Sequence, residues 1–175
     1  MTGRLSGRRI ALLIEEGFDA PTVLDPMTML EAEGAEVVLV GPTAITPVHD
    51  RDHTTALVPT LGANAARARD FHAAIVPGGY AADRMRLRHS MVDLVTHLLE
   101  AGKVVAAIGH GPQLLISAEV IKGRTVTCWP SIAVDIAHAG GHYVDRPVVS
   151  ENGLITARKA DDLPLFLAAI IAALA

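Results

Sequence analysis

A tight turn at Gly109, His110 and Gly111 joins a predicted buried strand to a predicted helix. The apolar run before it, 104–108, is typical of a strand that is buried on both faces. Pro112 follows the turn and favours the first turn of a helix. A strand, a strained turn and a helix in this order present an exposed nucleophile at the carboxyl edge of an α/β hydrolase sheet. Gly109 stands at the apex, so the sequence predicts this turn without the side chain that would attack a substrate.

Apolar strands alternate with helical segments along the rest of the chain. Strands are predicted at 10–14, 36–40, 73–76, 104–108 and 126–129, with a hairpin at 148–157. Helices are predicted from Asp19 to Gly34, from Asp83 or Met91 to Glu100, at 112–118, at 131–139, and from Asp161 or Asp162 onwards. The weakly patterned segment 43–60 is expected to form short strands or a hairpin. This alternation predicts a three-layer α/β domain, with helices on both faces of a mostly parallel sheet.

The carboxyl edge of this sheet is the predicted location of a binding site. Ligands of open parallel sheets bind outside the carboxyl ends of the strands. The loops at 15–19, 77–80 and 109–111 each follow a predicted strand and are expected to meet at that edge.

The composition fits one such domain and argues against several classes of function. The chain has 175 residues, of which 50% are hydrophobic and 3% aromatic, a mix that suits parallel strands between helices. A net charge of −4 and the scarcity of aromatic rings argue against nucleic-acid binding. The apolar stretches are too short for a membrane span, and the single cysteine, Cys128, is expected to be buried and inert in a reducing compartment. We expect one domain over residues 1–175, flexible at residues 1–8, located in the cytoplasm, with no membrane or nucleic-acid partner.

Three motifs carry a resemblance to a known family. They are Val76-Pro77-Gly78-Gly79, Ala106-Ala107-Ile108-Gly109-His110-Gly111-Pro112-Gln113 and Asp161-Asp162-Leu163-Pro164. In their order and spacing they resemble the ThiJ/PfpI family of deglycases and intracellular peptidases, which are class I glutamine amidotransferase-like, over nearly the whole chain. The resemblance implies a flavodoxin-like fold, a homodimer or larger homo-oligomer, no cofactor, and thiol chemistry on small carbonyl compounds or amides. In that family the position of Gly109 is a cysteine.

The missing thiol has three interpretations. Glycine freely adopts the backbone angles of such a turn, so the position has relaxed to the residue that its backbone prefers. Alternatively, the missing side chain leaves room for a water molecule or part of a substrate, or the cysteine was replaced deliberately. Backbone N–H groups can hold a developing oxyanion without any side chain. The resemblance implies that Gly78, Gly79, Gly109 and Gly111 form this substrate-binding pocket.

Three titratable residues are candidates for proton transfer. His110 exchanges protons near neutral pH and is the base that the resemblance implies, unless it only packs beside the turn. Asp19 matches a glutamate of the family, and an apolar pocket would raise its pKa, although an aspartate before Ala-Pro is also a common helix cap. Asp83 falls where the peptidase branch carries a glutamate that reaches the neighbouring subunit. We take His110 and Asp19 as the catalytic candidates and Asp83 as a candidate inter-subunit acid.

No metal site is predicted. His49 and His53 are four residues apart, as are His138 and His142, and this spacing binds zinc within an intact helix. The first pair lies in weakly patterned chain, and glycines interrupt the second. The acidic pair at 15–16 is expected to be solvated.

Three functions remain open from the sequence. The first is an enzyme of the hydratase, lyase or aldolase type that keeps the oxyanion pocket and works by non-covalent acid–base catalysis. The second is a glyoxalase, deglycase, amidase or peptidase of the family that the change from cysteine to glycine has inactivated, in nature or by engineering. The third is a non-catalytic ligand-binding stress protein. All of them exclude catalysis by a cysteine at position 109.

Overall fold

The computed structural model describes residues 3–175. The elements follow in the order β1 (Arg9–Leu13), α1 (Pro21–Ala32), β2 (Glu36–Gly41), β3 (Val48–His49), β4 (Ala56–Leu57), β5 (Leu61–Gly62), β6 (Ala73–Val76), α2 (Ala81–Met85), α3 (His89–Glu100), β7 (Val104–Ile108), α4 (Pro112–Ser117), β8 (Thr125–Val126), α5 (Ala133–His138), β9 (His142–Tyr143), β10 (Val148–Glu151), β11 (Leu154–Ala157) and α6 (Leu163–Leu174). Short 3-10 turns at Ala63–Ala65, Ala68–Asp70, Pro130–Ile132 and Ala160–Asp162 complete the chain.

A seven-stranded sheet forms the centre of the molecule, in the order β10-β11-β7-β6-β1-β2-β5. Neighbouring strands are parallel except for β10 and β11. The register sets Leu12 of β1 beside Leu39 of β2 and Ile75 of β6, and all three side chains are buried. Helices α1 and α6 pack together, while α3 and α4 pack together and α2 joins α4. The predicted three-layer, mostly parallel α/β fold of flavodoxin-like type is confirmed.

The predicted strand, turn and helix around position 109 are also confirmed. Strand β7 ends at Ile108 and α4 begins at Pro112. Gly109 has φ +66°, in the left-handed region that favours glycine. The amide of Gly111 donates to the carbonyl oxygen of Ile108 over 2.9 Å and closes the turn. This turn therefore stands at the carboxyl edge of the sheet.

The hairpin predicted at 148–157 is present, and the segment 43–60 forms another. Strands β10 and β11 are antiparallel, and Asn152 and Gly153 between them have φ values of +49° and +82°. Two successive residues with positive φ are typical of a type I′ turn, which matches the twist of the flanking strands. In the weakly patterned segment 43–60, β3 and β4 form a second antiparallel pair. We call the segment from Val48 to Leu57 the β3–β4 hairpin.

The strand predicted at 126–129 is shorter than expected. Strand β8 covers Thr125–Val126 only and pairs with β9 outside the main sheet. The next amides leave the ladder for other partners, since Thr127 N–H donates to Thr156 Oγ1 over 3.0 Å and Trp129 N–H donates to Gly109 O over 2.9 Å. These bonds draw the chain towards the turn at Gly109.

Helix boundaries differ from the prediction where side-chain caps were expected. Helix α1 begins at Pro21 and continues through Pro26, and no side-chain cap hydrogen bond precedes it. Asp19 is therefore not its side-chain cap. The helix predicted to end at Glu100 is preceded by a separate short helix, so that α2 and α3 cover 81–85 and 89–100, and α6 begins only at Leu163.

Residues 3–8, which were expected to be flexible, pack against the domain. Leu5 is fully buried, and its amide donates to Glu33 O over 2.8 Å. The Arg8 Nε atom donates to the carbonyl oxygen of Leu174 over 2.7 Å. Residues 1–2 of the same predicted segment lie outside the described residues.

Candidate active site

A cavity of about 590 Å³ lies at the carboxyl edge of the sheet, beside the turn at Gly109. Glycines and titratable side chains form much of its wall. It is lined by Asp19, Thr22, Arg51, Gly78, Gly79, Tyr80, Gly109, His110, Trp129, Lys159, Ala160 and Asp161. The loops after β1, β6 and β7 therefore meet at one site, as the sequence predicts.

Gly109 leaves space for a side chain although it has none. A Cβ atom built on it would lie 3.5 Å from Gly78 Cα and 3.9 Å from Arg158 O, which are ordinary van der Waals contacts. Gly111 is different, because a Cβ there would lie 2.7 Å from Val76 O. The positive φ at position 109 disfavours residues other than glycine, whereas at position 111 close contacts with neighbouring backbone atoms leave no room for a side chain.

Two backbone amides at the cavity remain available to a ligand. Within residues 3–175, the N–H groups of Gly79 and His110 donate to no protein acceptor. The other predicted donors are engaged, since Gly109 N–H donates to Ala157 O over 3.0 Å and Gly78 N–H donates to Thr22 Oγ1 over 3.0 Å. Gly111 N–H is held inside the turn and does not line the cavity. Gly79 and His110 are therefore the pair that could hold an oxyanion.

Thr22 is a residue of the site that the sequence analysis missed. Its side chain is buried, accepts the hydrogen bond from Gly78 N–H, and donates from Oγ1 to Asp19 O over 2.7 Å. It thereby fixes the turn that follows β6 against the start of α1. The only sequence signal was its place in the first turn of that helix.

His110 combines a half-buried imidazole with an aromatic neighbour. Its ring stacks on Trp129, with ring centroids 5.9 Å apart and an interplanar angle of 28°. The Ser131 hydroxyl lies 3.5 Å from Nε2. Burial lowers the pKa of His110 below its ordinary value, since desolvation disfavours the imidazolium. The imidazole is therefore mainly neutral at pH 7 and able to accept a proton.

Asp19 lines the same cavity, and its pKa is shifted upwards, whereas that of His110 is shifted downwards. Burial raises its pKa, Arg51 opposes this with its positive charge, and the acids Asp52 and Asp50 add to the rise. The Arg51 Nε atom lies 3.9 Å from Asp19 Oδ1, too far for a hydrogen bond. Asp19 is thus a carboxyl group with a raised proton affinity that lines the same cavity as the neutral imidazole of His110, a combination that suits proton transfer.

Hydrogen bonds join the segment from Gly17 to Asp19 to the β3–β4 hairpin on one side and to the turn after β6 on the other. On one side Gly17 N–H donates to His49 O over 2.8 Å and Arg51 N–H donates to Phe18 O over 3.0 Å. On the other side Asp19 N–H donates to Gly78 O over 3.1 Å and Tyr80 N–H donates to Gly17 O over 2.8 Å. Phe18 is fully buried between them.

Two other predicted residues stand apart from the cavity wall. Asp83 is exposed on α2 and does not line the cavity. Cys128 is fully buried, and burial, reinforced by the charge of Asp135, raises the pKa of its thiol to about 12. The thiol of Cys128 is therefore protonated at neutral pH and does not replace the missing nucleophile.

The acidic pair after β1 is less solvated than predicted. Glu15 is 4% exposed and pairs with Arg88, while its Oε1 accepts the amide of Glu16 over 3.0 Å. Glu16 is half-buried and accepts the amide of His49 at Oε2 over 2.9 Å. The expectation of a solvated Glu15 is wrong, because the ion pair compensates its burial.

No helix in residues 3–175 combines the length and the apolar character needed to cross a lipid bilayer.

Comparison with known proteins agrees with the fold and with the motifs. The model of the DJ-1/PfpI family matches residues 8–173. An uncharacterised protein of Archaeoglobus fulgidus is 38% identical over 163 residues, covering 93% of this chain and 96% of its own. Protein/nucleic acid deglycase 2 of Escherichia coli is 33% identical over 160 residues, covering 91% of this chain and 93% of its own.

A solved structure has the same fold. In a two-domain protein of Anabaena variabilis, which contains DJ-1/ThiJ/PfpI-like and ferritin-like domains, the match has a TM-score of 0.92 and 33% identity. It covers 94% of this chain and 47% of that one, so the chain spans about half of the two-domain protein. With the family model matched over nearly its whole length, the chain belongs to the DJ-1/PfpI family.

Proposed function

We propose that the protein binds a small carbonyl compound in this cavity and transforms it by acid–base catalysis, without a covalent intermediate. The observation that supports this most is that the N–H groups of Gly79 and His110 have no acceptor within residues 3–175. The same cavity is lined by two titratable side chains, His110 and Asp19. Two such donors stabilise the oxyanion that forms from a carbonyl oxygen, and a nearby base accepts the proton that is removed. This chemistry does not need a side chain at Gly109.

The proposed reaction follows from the chemistry of these groups. The carbonyl oxygen of the substrate accepts hydrogen bonds from the amides of Gly79 and His110. The neutral imidazole of His110 removes a proton, either from the carbon next to the carbonyl or from a water molecule that adds to the carbonyl carbon. The electron pair moves onto the oxygen, where the two amides stabilise the negative charge. Asp19 then returns a proton, since its raised pKa keeps a larger fraction protonated than an exposed aspartate has.

A ligand-binding form of a family hydrolase is the second candidate function. The space around Gly109 supports it, because a Cβ atom would make only ordinary contacts there. A relative named as a deglycase in Escherichia coli also supports a carbonyl compound or an adduct of one as the ligand. In this case the pocket binds the ligand but turns nothing over until position 109 regains a thiol.

One experiment separates the two candidates. Methylglyoxal, hydroxyacetone and a panel of simple amides are offered in D₂O to the wild type and to Gly109→Cys, with NMR detection of products and of deuterium taken up next to the carbonyl. Acid–base catalysis predicts product formation or deuterium uptake by the wild type, and its loss in His110→Ala and Asp19→Asn. His97→Ala, an exposed histidine on α3, serves as the matched control that keeps the activity.

The opposite pattern would favour the second candidate. Turnover by Gly109→Cys alone would identify a disabled thiol enzyme on an intact scaffold. Wild-type turnover that persists in His110→Ala would overturn the acid–base mechanism.

We further propose that the chain assembles as a homodimer or larger homo-oligomer. Leu87 of the link between α2 and α3 is 84% exposed, and Tyr80 beside α2 is 65% exposed. Asp83 is exposed on the same helix, which supports its role as an acid that reaches a neighbouring subunit. Light scattering after size-exclusion chromatography gives the subunit number, and Leu87→Asp should lower it if this surface is the contact.

A further inference from the structure

A second group of potential ligands lies outside the cavity, where Glu16 meets the β3–β4 hairpin. Ligand atoms of Glu16, His49 and His53 all lie within 4.8 Å of one another. None of the three belongs to the cavity wall. The spacing of the two histidines gave no reason to expect a metal, because they are not on a helix. Folding adds the missing third ligand, Glu16, from a residue 33 positions before His49.

The distance between the side chains of Glu16 and His49 matches the separation of two ligands around a metal ion. Nδ1 of His49 lies 3.4 Å from Oε1 of Glu16. Around a tetrahedral zinc ion with bonds of about 2.0–2.1 Å, neighbouring ligand atoms are about 3.3 Å apart. The imidazole rings of His49 and His53 have centroids 5.5 Å apart and are tilted by 38°, so they are not stacked on each other. The His53 ligand atom lies within 4.8 Å of the other two, so the His53 ring would move closer to them when one ion is bound by all three.

The carboxylate of Glu16 is already oriented for this role. Its Oε2 atom accepts the backbone N–H of His49 over 2.9 Å. This bond fixes the carboxylate plane and leaves Oε1 on the side of the His49 ring. Hydrogen bonds to the non-ligating atoms of a ligand commonly orient it in metal sites.

The hairpin turn holds the third ligand. His53 has φ +54°, a left-handed conformation that is uncommon for a residue other than glycine. The turn is held by Asp50, whose buried carboxylate accepts the amides of Thr54 and Thr55, each over 2.8 Å. The position of His53 is therefore set by the backbone rather than by contacts of its exposed ring.

We propose that Glu16, His49 and His53 bind one divalent transition-metal ion of the zinc type, with a further position open to solvent. Two imidazoles and one carboxylate favour such an ion over calcium or magnesium, which prefer ligand sets made of oxygen atoms. The ion links the segment after β1 to the β3–β4 hairpin. Since Arg51 lies on this hairpin between the two histidines and lines the cavity beside Asp19, metal binding stiffens one wall of the candidate active site.

Isothermal titration calorimetry with zinc chloride tests the site. The full chain, free of affinity tags and treated with a chelator, should bind one zinc ion per chain and should give no comparable heat with magnesium or calcium chloride. Three variants, Glu16→Gln, His49→Ala and His53→Asn, should each weaken zinc binding at least about tenfold, since even the loss of an outer-shell partner costs that much. Glu16→Gln keeps an acceptor for the His49 amide, and asparagine tolerates the left-handed backbone of residue 53.

The second histidine pair provides the matched control. His138 and His142 have the same spacing, but they lie on α5 and β9, so His138→Ala and His142→Ala should bind zinc like the wild type. Circular dichroism establishes that each variant is folded before titration. Cobalt(II), used in place of zinc, should give visible absorption bands that Glu16→Gln alters. Absence of zinc binding by the wild type, or undiminished binding by folded His49→Ala and His53→Asn, would overturn the proposal.

Discussion

Thr22 Oγ1 accepts the hydrogen bond of Gly78 N–H over 3.0 Å, and the bond joins residues 56 positions apart in the chain. It satisfies the buried amide that precedes the proposed oxyanion donor Gly79. The same hydroxyl donates to Asp19 O over 2.7 Å. One threonine thus positions both the proposed oxyanion donor and the loop that carries the proposed acid.

Replacement of this hydroxyl by a methyl group should destabilise the protein. In Thr22→Val the buried amide of Gly78 loses its acceptor, which costs about 1–3 kcal/mol. Urea unfolding followed by circular dichroism measures this cost. Thr28→Val is the matched control on the same helix, because the Thr28 hydroxyl is exposed and, within residues 3–175, bonds only to Leu24 O. Equal stability of the two variants would contradict the role of Thr22.

Three alanine variants separate backbone strain from steric conflict at the turn. Gly109→Ala and Gly102→Ala should each cost about 1–2 kcal/mol, since both positions have positive φ and room for a Cβ atom. Gly111→Ala should cost more than about 3 kcal/mol, because its Cβ would lie 2.7 Å from Val76 O. The measurement is the free energy of unfolding in urea. A cost at Gly109 well above that at Gly102 would indicate crowding that the structure does not show.

Asp19→Asn should make the protein more stable at pH 7 while it removes the proposed acid. The folded-state pKa of Asp19 lies above the ordinary value of 3.8, so its ionisation destabilises the folded state as the pH rises through this region. The gain in the free energy of unfolding should therefore be present near neutral pH and disappear below pH 3.8. Urea unfolding at several pH values measures it. The exposed Asp93→Asn on α3 is the control, and a destabilised Asp19→Asn at pH 7 would contradict the sign of the shift.

Cys128 should not react with thiol reagents in the folded protein. The thiol is fully buried and its pKa is about 12, so neither access nor ionisation favours the reaction. One thiol per chain should be titrated by Ellman's reagent in guanidinium chloride, and none in native buffer. Gly109→Cys should add one thiol that reacts in native buffer. Rapid native labelling of Cys128 would show that its surroundings open.

The parts of the fold that the sequence predicted correctly depend on local signals. The turn at Gly109 follows an uninterrupted apolar strand and precedes a proline, so neighbouring residues mark it. The turn between β10 and β11 is likewise marked by Asn152 and Gly153, which accept positive φ. Strand, turn and helix boundaries of this kind need no knowledge of distant residues.

The parts that the sequence analysis missed depend on distant partners. Thr22 gains its role from Gly78, and the proposed role of Glu16 depends on His49, through hydrogen bonds that no local pattern reveals. Asp19 differs from these two residues, because the sequence already offered it as a catalytic candidate or as a helix cap, and in the fold it lines the cavity without capping the helix. The sequence could not identify the amides of Gly79 and His110 as the proposed oxyanion donors. That choice depends on which backbone N–H groups already donate to an acceptor in the folded protein.

The burial of Phe18 between the β3–β4 hairpin and the turn after β6 makes these regions one cooperative unit. Its neighbours donate and accept hydrogen bonds on both sides, so the hairpin cannot separate from the segment after β1 without exposing the phenylalanine ring. Local opening of either region therefore carries nearly the same free-energy cost. The amides of Gly17, Asp19, Arg51 and Tyr80 should then show one common protection factor in hydrogen–deuterium exchange, once each observed rate is divided by the intrinsic rate of that amide, although they belong to three separate loops.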